Sequence, residues 1–321
     1  MSAFTAINAD LFLSAIERYP WRSSSYARGR LIASSPFGSR ADNTPSFSLV
    51  VDTDSESFGA WNDMGAEDPE WARGSPLKLY SFLRNITLRE AFEELTVGAD
   101  VDERPTLRIR LNAPEPQAAI RKPIDMSPYI QREIRYLTNR GIAPVIQRLY
   151  RCGYDVTNNA VVMPWTSPVG TFLNAKWRST YGKQFWYARG GAPVKSMIYG
   201  IDIAYRRNIK RAVIGEAEID AMTASTAGTF GLAVGGSEFT EEKANLLRRS
   251  PIEELLIAGD NDAAGEKLRW EIEKKMRGYV RLYNVEIPNS AKDFNAAGIA
   301  ATREACEAAK RIDAIRVRLC T

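Results

Sequence analysis

"RAVIGEAEIDAMTASTAGTFGLAVGG", residues 211–236, joins an apolar run closed by Glu216, a segment with helical spacing, and a second apolar run ending in two glycines. The alternation continues with "TEEKANLLRRS" (240–250) as helix, "EELLIAGD" (253–260) as strand, "AAGEKLRWEIEKKMRG" (263–278) as helix and "YVRLYNVEI" (279–287) as strand. Strands separated by helices run parallel, because only a crossover of that length can bring the chain back in the same direction. The fold expected for this region is α/β, a doubly wound, mostly parallel sheet with helices on both faces. Its ligands are expected beyond the carboxyl ends of the strands.

Acidic residues fall at those ends. Glu216 closes one strand, Asp260 and Asp262 follow another, and Lys292 and Asp293 come after the last. Carboxylates gathered there repel one another, by roughly 4 kcal/mol for unit charges about 4 Å apart at an effective dielectric near 20. A divalent cation relieves that repulsion. A chain without a single histidine offers hard oxygen ligands, which favour Mg²⁺ or Mn²⁺ over zinc. Such ions bridge to phosphates, so the chemistry expected of Glu216, Asp260 and Asp262 is phosphoryl or nucleotidyl transfer.

Two plainer readings compete. An Asp-x-Asp after a strand also serves as a helix N-cap in a solvated turn. Asp260, Asp262, Gly265 and Glu271 further match positions 1, 3, 6 and 12 of a calcium loop. That pattern breaks at Ala264 and Lys267, and a strand followed by a helix is not a helix-loop-helix. Gly265 is expected to ease the turn into the helix.

With 321 residues, 45% of them apolar and 26% charged, the chain can build two or three domains. A net charge of +4 is too small to establish a polyanionic partner. The lack of histidine excludes Ser-His-Asp and Cys-His catalysis. Cys152, Cys306 and Cys320 show neither a Cys-x-x-Cys pair nor an even count, which fits a reducing cytoplasm. No apolar stretch approaches the ~18 residues of a membrane span, and no signal peptide is visible, so a cytoplasmic protein with no membrane partner is expected.

Residues 98–127, with Pro105, Pro114, Pro116 and Pro123, read as a linker. It separates a head (1–97) from a mixed α+β subdomain (128–207), the parallel-sheet domain (208–300) and a closing C-terminal helix (301–321). In the head, "PSFSLVVD" and "SFGAWND" are expected as strands. The stretch 77–95 is expected to be helical, with Thr87 and Glu90 as a capping box. In the subdomain, residues 129–155 suggest two short helices broken at Gly141 and Pro144, followed by the strands "AVVMPW" and "GTFLNAKWRS". Lys176, Arg178, Lys183 and Arg189 alternate there with Trp177, Trp186 and Tyr187. Such a face suits a single strand, since cations track phosphates and aromatic faces stack bases at about 1–3 kcal/mol each. The plainer alternative is a solvated strand face with core aromatics.

Taken in order, "VIGEAEIDAMT", "LAVGGSEFT", "LLIAGDNDAAGEK" and "AKDFNAAG" resemble the TOPRIM domain of bacterial- and phage-type DNA primases. "VVMPW", "NAKWRSTYGKQFWY" and "IYGIDIA" are similar to the primase segment preceding it, although Ala160 stands where that family often has a basic residue. The resemblance implies that Glu216 and Asp220 are the acids of the family's Glu-Gly-x-x-Asp segment, with Ala217 in place of the Gly. It also implies that Asp260 and Asp262 are the metal pair, and that Lys292 and Asp293 are the Lys-Asp pair supporting the cofactor. The head resembles a β-rich zinc-ribbon-like domain, but Ser35 and Gly38 replace its Cys and His. No zinc is therefore expected, and Phe37, Phe47, Phe58, Trp61 and Trp71 are the expected substitutes.

The activity implied is synthesis of short RNA primers from nucleoside triphosphates on a single-stranded DNA template. The setting would be DNA replication by a phage- or mobile-element-encoded protein in a bacterial host. With no Gly-x-x-x-x-Gly-Lys-[Ser/Thr] loop, a replicative helicase is expected as a separate chain. The alternatives are a TOPRIM-type metal-dependent nuclease and a non-catalytic module that binds single-stranded DNA or a replication partner.

Overall fold

The computed structural model describes residues 7–37, 44–66, 68–96, 123–129, 133–288 and 291–312. The chain divides into two compact units, one made chiefly of residues before 114 and one chiefly of those after.

The first unit runs α1 (Ala9–Arg18), β1 (Ser25–Ala27), β2 (Arg30–Ala33), β3 (Phe47–Val50), β4 (Trp61–Asp63), β5 (Arg73–Gly74), α2 (Pro76–Arg84) and α3 (Leu88–Thr96). Its five strands form an antiparallel sheet in sequential order. The helical run at 77–95 is two helices, the second starting at the expected Thr87 cap. Asn85 takes a left-handed conformation (φ 50°) that ends α2. The capping box then starts α3, the Thr87 N–H donating to Glu90 Oε2 (2.8 Å) and the Glu90 N–H to Thr87 Oγ1 (3.2 Å). Phe47, Trp61 and Trp71 are buried. The Phe37 ring lies 4.7 to 5.8 Å from Phe47, Trp61, Trp71 and Phe82. Phe58 meets Phe12 edge-on at 5.7 Å. Ser35 uses its hydroxyl locally, accepting the Phe37 N–H at 3.1 Å.

In the second unit the expected linker gives way to packed chain earlier than 127. The Ile124 N–H donates to Phe172 O (2.8 Å), and Met126 is buried with Val162 and Trp177, because these two apolar side chains have a sheet face to cover. The rest of the linker lies outside the described residues. Next come α4 (Arg135–Thr138), α5 (Pro144–Leu149), β6 (Gly153–Asp155), β7 (Ala160–Thr166), β8 (Phe172–Ser179), β9 (Phe185–Tyr187) and α6 (Ile201–Arg206). The four strands form an antiparallel sheet, β6-β7-β8-β9.

The α/β region follows as β10 (Arg211–Gly215), α7 (Glu218–Ala227), β11 (Gly231–Ala233), α8 (Glu241–Arg248), β12 (Glu254–Ile257), α9 (Ala263–Met276), β13 (Arg281–Asn284), α10 (Phe294–Glu307) and β14 (Lys310–Arg311). Strand order is β11-β10-β12-β13-β14, with the first four parallel and β14 antiparallel at the edge. Ile214 pairs with both Leu232 and Ile257, so the segments that leave β10, β11 and β12 start level with one another. The closing helix differs from expectation. It begins at Phe294, is broken by Gly298 (φ 82°), and ends at Glu307 before a short strand. The Asp293 cap starts it early, and residues 313–321 lie outside the described part. Among the described residues no helix is long and apolar enough to cross a membrane.

Candidate active site

Three strand-end loops bring the acids together. Glu216 follows β10 directly, and its carbonyl accepts the N–H groups of Gly235 (2.9 Å) and Gly236 (3.2 Å) from the loop after β11. Ala217, standing where the TOPRIM pattern has Gly, is extended (φ −112°, ψ 154°), a conformation any L-residue adopts. The loop as formed here does not require glycine at this position.

Asp260 and Asp262 sit between β12 and α9. Asp262 Oδ1 accepts the N–H groups of Ala264 (3.1 Å) and Gly265 (3.0 Å) as the cap of α9, so the N-cap reading holds for half of this carboxylate. Its Oδ2 stands 3.8 Å from Lys292 Nζ, which lies equally far from Asp260 Oδ2. Gly265 has a different role from the one the sequence suggested. A Cβ there would stand 2.1 Å from Asp260 O, so glycine is needed where α9 abuts the Asp260 backbone rather than to bend a turn.

Asn261, between the two acids, is a residue the sequence reading passed over. Its side-chain amide donates to the carbonyls of Ile287 (3.2 Å), Pro288 (3.3 Å) and Ala291 (2.9 Å). Its N–H donates to Lys292 O at 3.1 Å. The loop after β13 is thereby tied to the loop after β12. Asp293 caps α10 through the Ala296 N–H (2.7 Å), and Asp220 Oδ1 accepts the Asn295 N–H (3.1 Å).

The electrostatics are those of carboxylates crowded out of water. Burial, then the Asp293 charge, raises the Asp220 carboxyl to about 8, against one backbone hydrogen bond from Asn295. Burial, then the Asp260 charge, raises Glu216 to about 7. Asp260 is also raised, by burial and by Asp293, with Lys292 opposing. Glu216 Oε1 is buried with no hydrogen-bond partner among the described residues. Among those residues no group of three or more Asp, Glu, Cys or His side chains is arranged to hold a metal ion.

The residues expected to meet a single strand separate into two groups. Lys183 and Arg189 are exposed, and Arg178 donates to Lys183 O at 3.1 Å along the β8–β9 hairpin. Trp177 departs from the expectation. Strand alternation turns it inward, where it is 6% exposed and its indole N–H donates to Asp155 Oδ2 at 3.0 Å. Lys176 departs as well, its ammonium lying 2.9 Å from Glu218 Oε2. Of the expected rings Trp186 is exposed, and Tyr181 and Phe185 are exposed beside it on the edge hairpin.

Comparison with known proteins bears on the same region. Residues 213–298, which hold Glu216, Asp220, Asp260, Asp262, Lys292 and Asp293, match a family model described as Toprim-like. No curated protein sequence matches the chain. Among solved structures, the chain is similar to the Aquifex aeolicus primase (zinc-binding and RNA polymerase domains) at 16% identity and a TM-score of 0.46, covering 96% of this chain and 87% of that one. It is similar to the RNA polymerase domain of the Mycobacterium tuberculosis primase DnaG at 20% identity and TM-score 0.46, covering 56% and 76%. The primase fragment of the bacteriophage T7 primase-helicase protein follows at 18% identity and TM-score 0.42, covering 54% and 76%. The acid-bearing loops thus belong to a Toprim-like domain spanning residues 213–298.

Proposed function

We propose that this chain is a primase, synthesising short RNA primers on single-stranded DNA from nucleoside triphosphates. The observation that carries the reading is the convergence of Glu216, Asp260 and Asp262, with Asp220, Asp293 and Lys292 beside them, at the strand ends of a Toprim-like domain. The all-oxygen donor set and the orphaned Glu216 Oε1 fit Mg²⁺ or Mn²⁺, ions that usually keep several waters and are shared with substrate phosphates. A bound ion would supply the charge that offsets a triphosphate and favours attack by a 3′-hydroxyl.

The chain's own residues do the rest. Glu216, Asp260 and Asp262 would hold the ion. Asp220 and Asp293 set the field around them. Lys292, with its side chain 67% exposed, is the cation placed to meet a phosphate as it enters. Arg178, Lys183 and Arg189 follow the template backbone, while Phe185, on the same sheet face as Arg178, offers a ring face to its bases.

The test is primer synthesis on random-sequence single-stranded DNA with Mg²⁺ or Mn²⁺. Wild type should make labelled RNA products, and Asp262→Ala should lose them by a factor of about 10–100 or more. Degradation of labelled single-stranded DNA without synthesis would instead make the protein a Toprim-type nuclease. Biological activity surviving Asp260→Ala would make it a binding module.

A further inference from the structure

Lys176 shares β8 with Arg178, yet its ammonium points into the protein. Its ammonium is 2.9 Å from Glu218 Oε2, and the two side chains are only 14% and 2% exposed. Glu218 Oε1 accepts the indole N–H of Trp165, a fully buried residue of β7, at 3.1 Å. The rings of Phe185 and Tyr187 on β9 stand 4.7 and 5.6 Å from the same ammonium and close off its remaining approach. Strands β7 and β8 therefore meet on one carboxylate, with the rings of β9 beside its cation, and that carboxylate is the first residue of α7.

We propose that Lys176 and Glu218 form a positioning pair, which fixes the first turn of α7 and with it the two acids that flank Glu218, namely Glu216 and Asp220. The proposal rests on the reading of the acid set as a metal and nucleotide site, and it removes Lys176 from the phosphate-tracking cations. Three observations lead to it. The start of α7 has no side-chain cap, Ala217 being at the N-cap, so ordinary capping does not hold it. The Glu216 backbone is anchored from the other side, by the N–H groups of Gly235 and Gly236 on its carbonyl. Between that anchor and the Asn295 N–H on Asp220, the bonds on Glu218 are what orient the turn. Removing one partner of such a buried pair strands the other charge, whereas replacing both leaves packing without an unpaired ion.

The test uses the full chain as wild type, Lys176→Met, Glu218→Gln, the double variant, Lys176→Arg, and Lys183→Met as a control for template binding. Three quantities are read: Mg²⁺ affinity by calorimetry without DNA or nucleotide, single-stranded DNA affinity and its salt dependence by anisotropy, and kcat and KM for primer synthesis. Lys176→Met, Glu218→Gln and the double variant should each weaken Mg²⁺ binding about tenfold or more, with kcat falling in parallel. DNA affinity and nucleotide KM should move less than about threefold, and Lys176→Arg should recover most of the loss. Lys183→Met should do the opposite, weakening DNA binding and lowering its salt slope. The double variant keeps the question open to refutation even where a single variant fails to fold. Mg²⁺ affinity within about twofold of wild type in the folded double variant overturns the proposal, and so does a Lys176→Met loss that falls on DNA affinity. A wild type that binds Mg²⁺ but makes no primers refutes the synthetic reading and leaves the pair to be judged on Mg²⁺ affinity. A wild type that binds no Mg²⁺ overturns both.

Discussion

Asp220 has the highest-lying acid of the cluster, and its sign matters for stability. A carboxyl whose folded value is about 8, against 3.8 in the unfolded chain, binds its proton more tightly when folded. The stability this contributes is full below the unfolded value and is lost as pH rises through the folded one. Without divalent ions, the thermal midpoint of the second unit should therefore fall between about pH 5 and about pH 9. Asp220→Asn keeps an acceptor for the Asn295 N–H, and it should flatten that slope in differential scanning fluorimetry. An unchanged slope would show that Asp220 is not the group responsible. Added Mg²⁺ should raise the midpoint more at the alkaline end, because Glu216 must shed a proton held to about pH 7 before it can act as a ligand.

At the scale of single elements, α9 and the head show what the fold asks of particular segments. The start of α9 is pressed against the loop that carries Asp260. Gly265→Ala would put a methyl 2.1 Å from Asp260 O, and a Cβ at Gly259 would stand 2.4 Å from Gly265 O. The variant should lose primer synthesis and Mg²⁺ affinity by about tenfold or more while the far-ultraviolet spectrum stays that of a folded chain. Retention of both would mean that α9 can slide without moving Asp260. In the head, aromatic packing stands where a zinc-ribbon-like domain would use metal. Trp61, 4% exposed and stacked among Phe37, Phe47 and Trp71, should cost about 3–5 kcal/mol when changed to Ala. A strong chelator should leave the head's wild-type unfolding midpoint unmoved, and a chelator-dependent drop would contradict the aromatic account.

Across the molecule, what was legible in the sequence follows from how local each signal is. The parallel sheet could be read from Arg211 onward because apolar runs and helical spacing alternate there without interruption. Its acids could be placed because parallel strands put their carboxyl ends on one side. The two short helices around Gly141 and Pro144 and the capping box at Thr87 were equally local. Glu218 was not legible. On the sequence it is one more acid in a helix's first turn, and only the meeting of β7, β8 and β9 above it turns it into the centre of a buried pair. Trp177 and Trp186 are 9 residues apart and look interchangeable, but they are cross-strand partners stacked on one sheet face, and only Trp186, on the edge strand β9, stays exposed. β1, β6 and β14, at 2 or 3 residues each, are too short for any periodicity to mark.

The order of strands in the α/β sheet has a consequence for motion. β10 and β12, which lead into Glu216 and Asp260, are neighbours with a parallel strand on each outer side. Neither is a margin that can fray. Amide protons at Val213, Ile214, Leu255 and Leu256 can trade with solvent only when the whole sheet opens, so the two acids depart from the slowest-opening part of their domain. Whatever flexing a catalytic cycle demands is left to the loops and to the β8–β9 hairpin, while the spacing between the two strand ends keeps time with global unfolding alone.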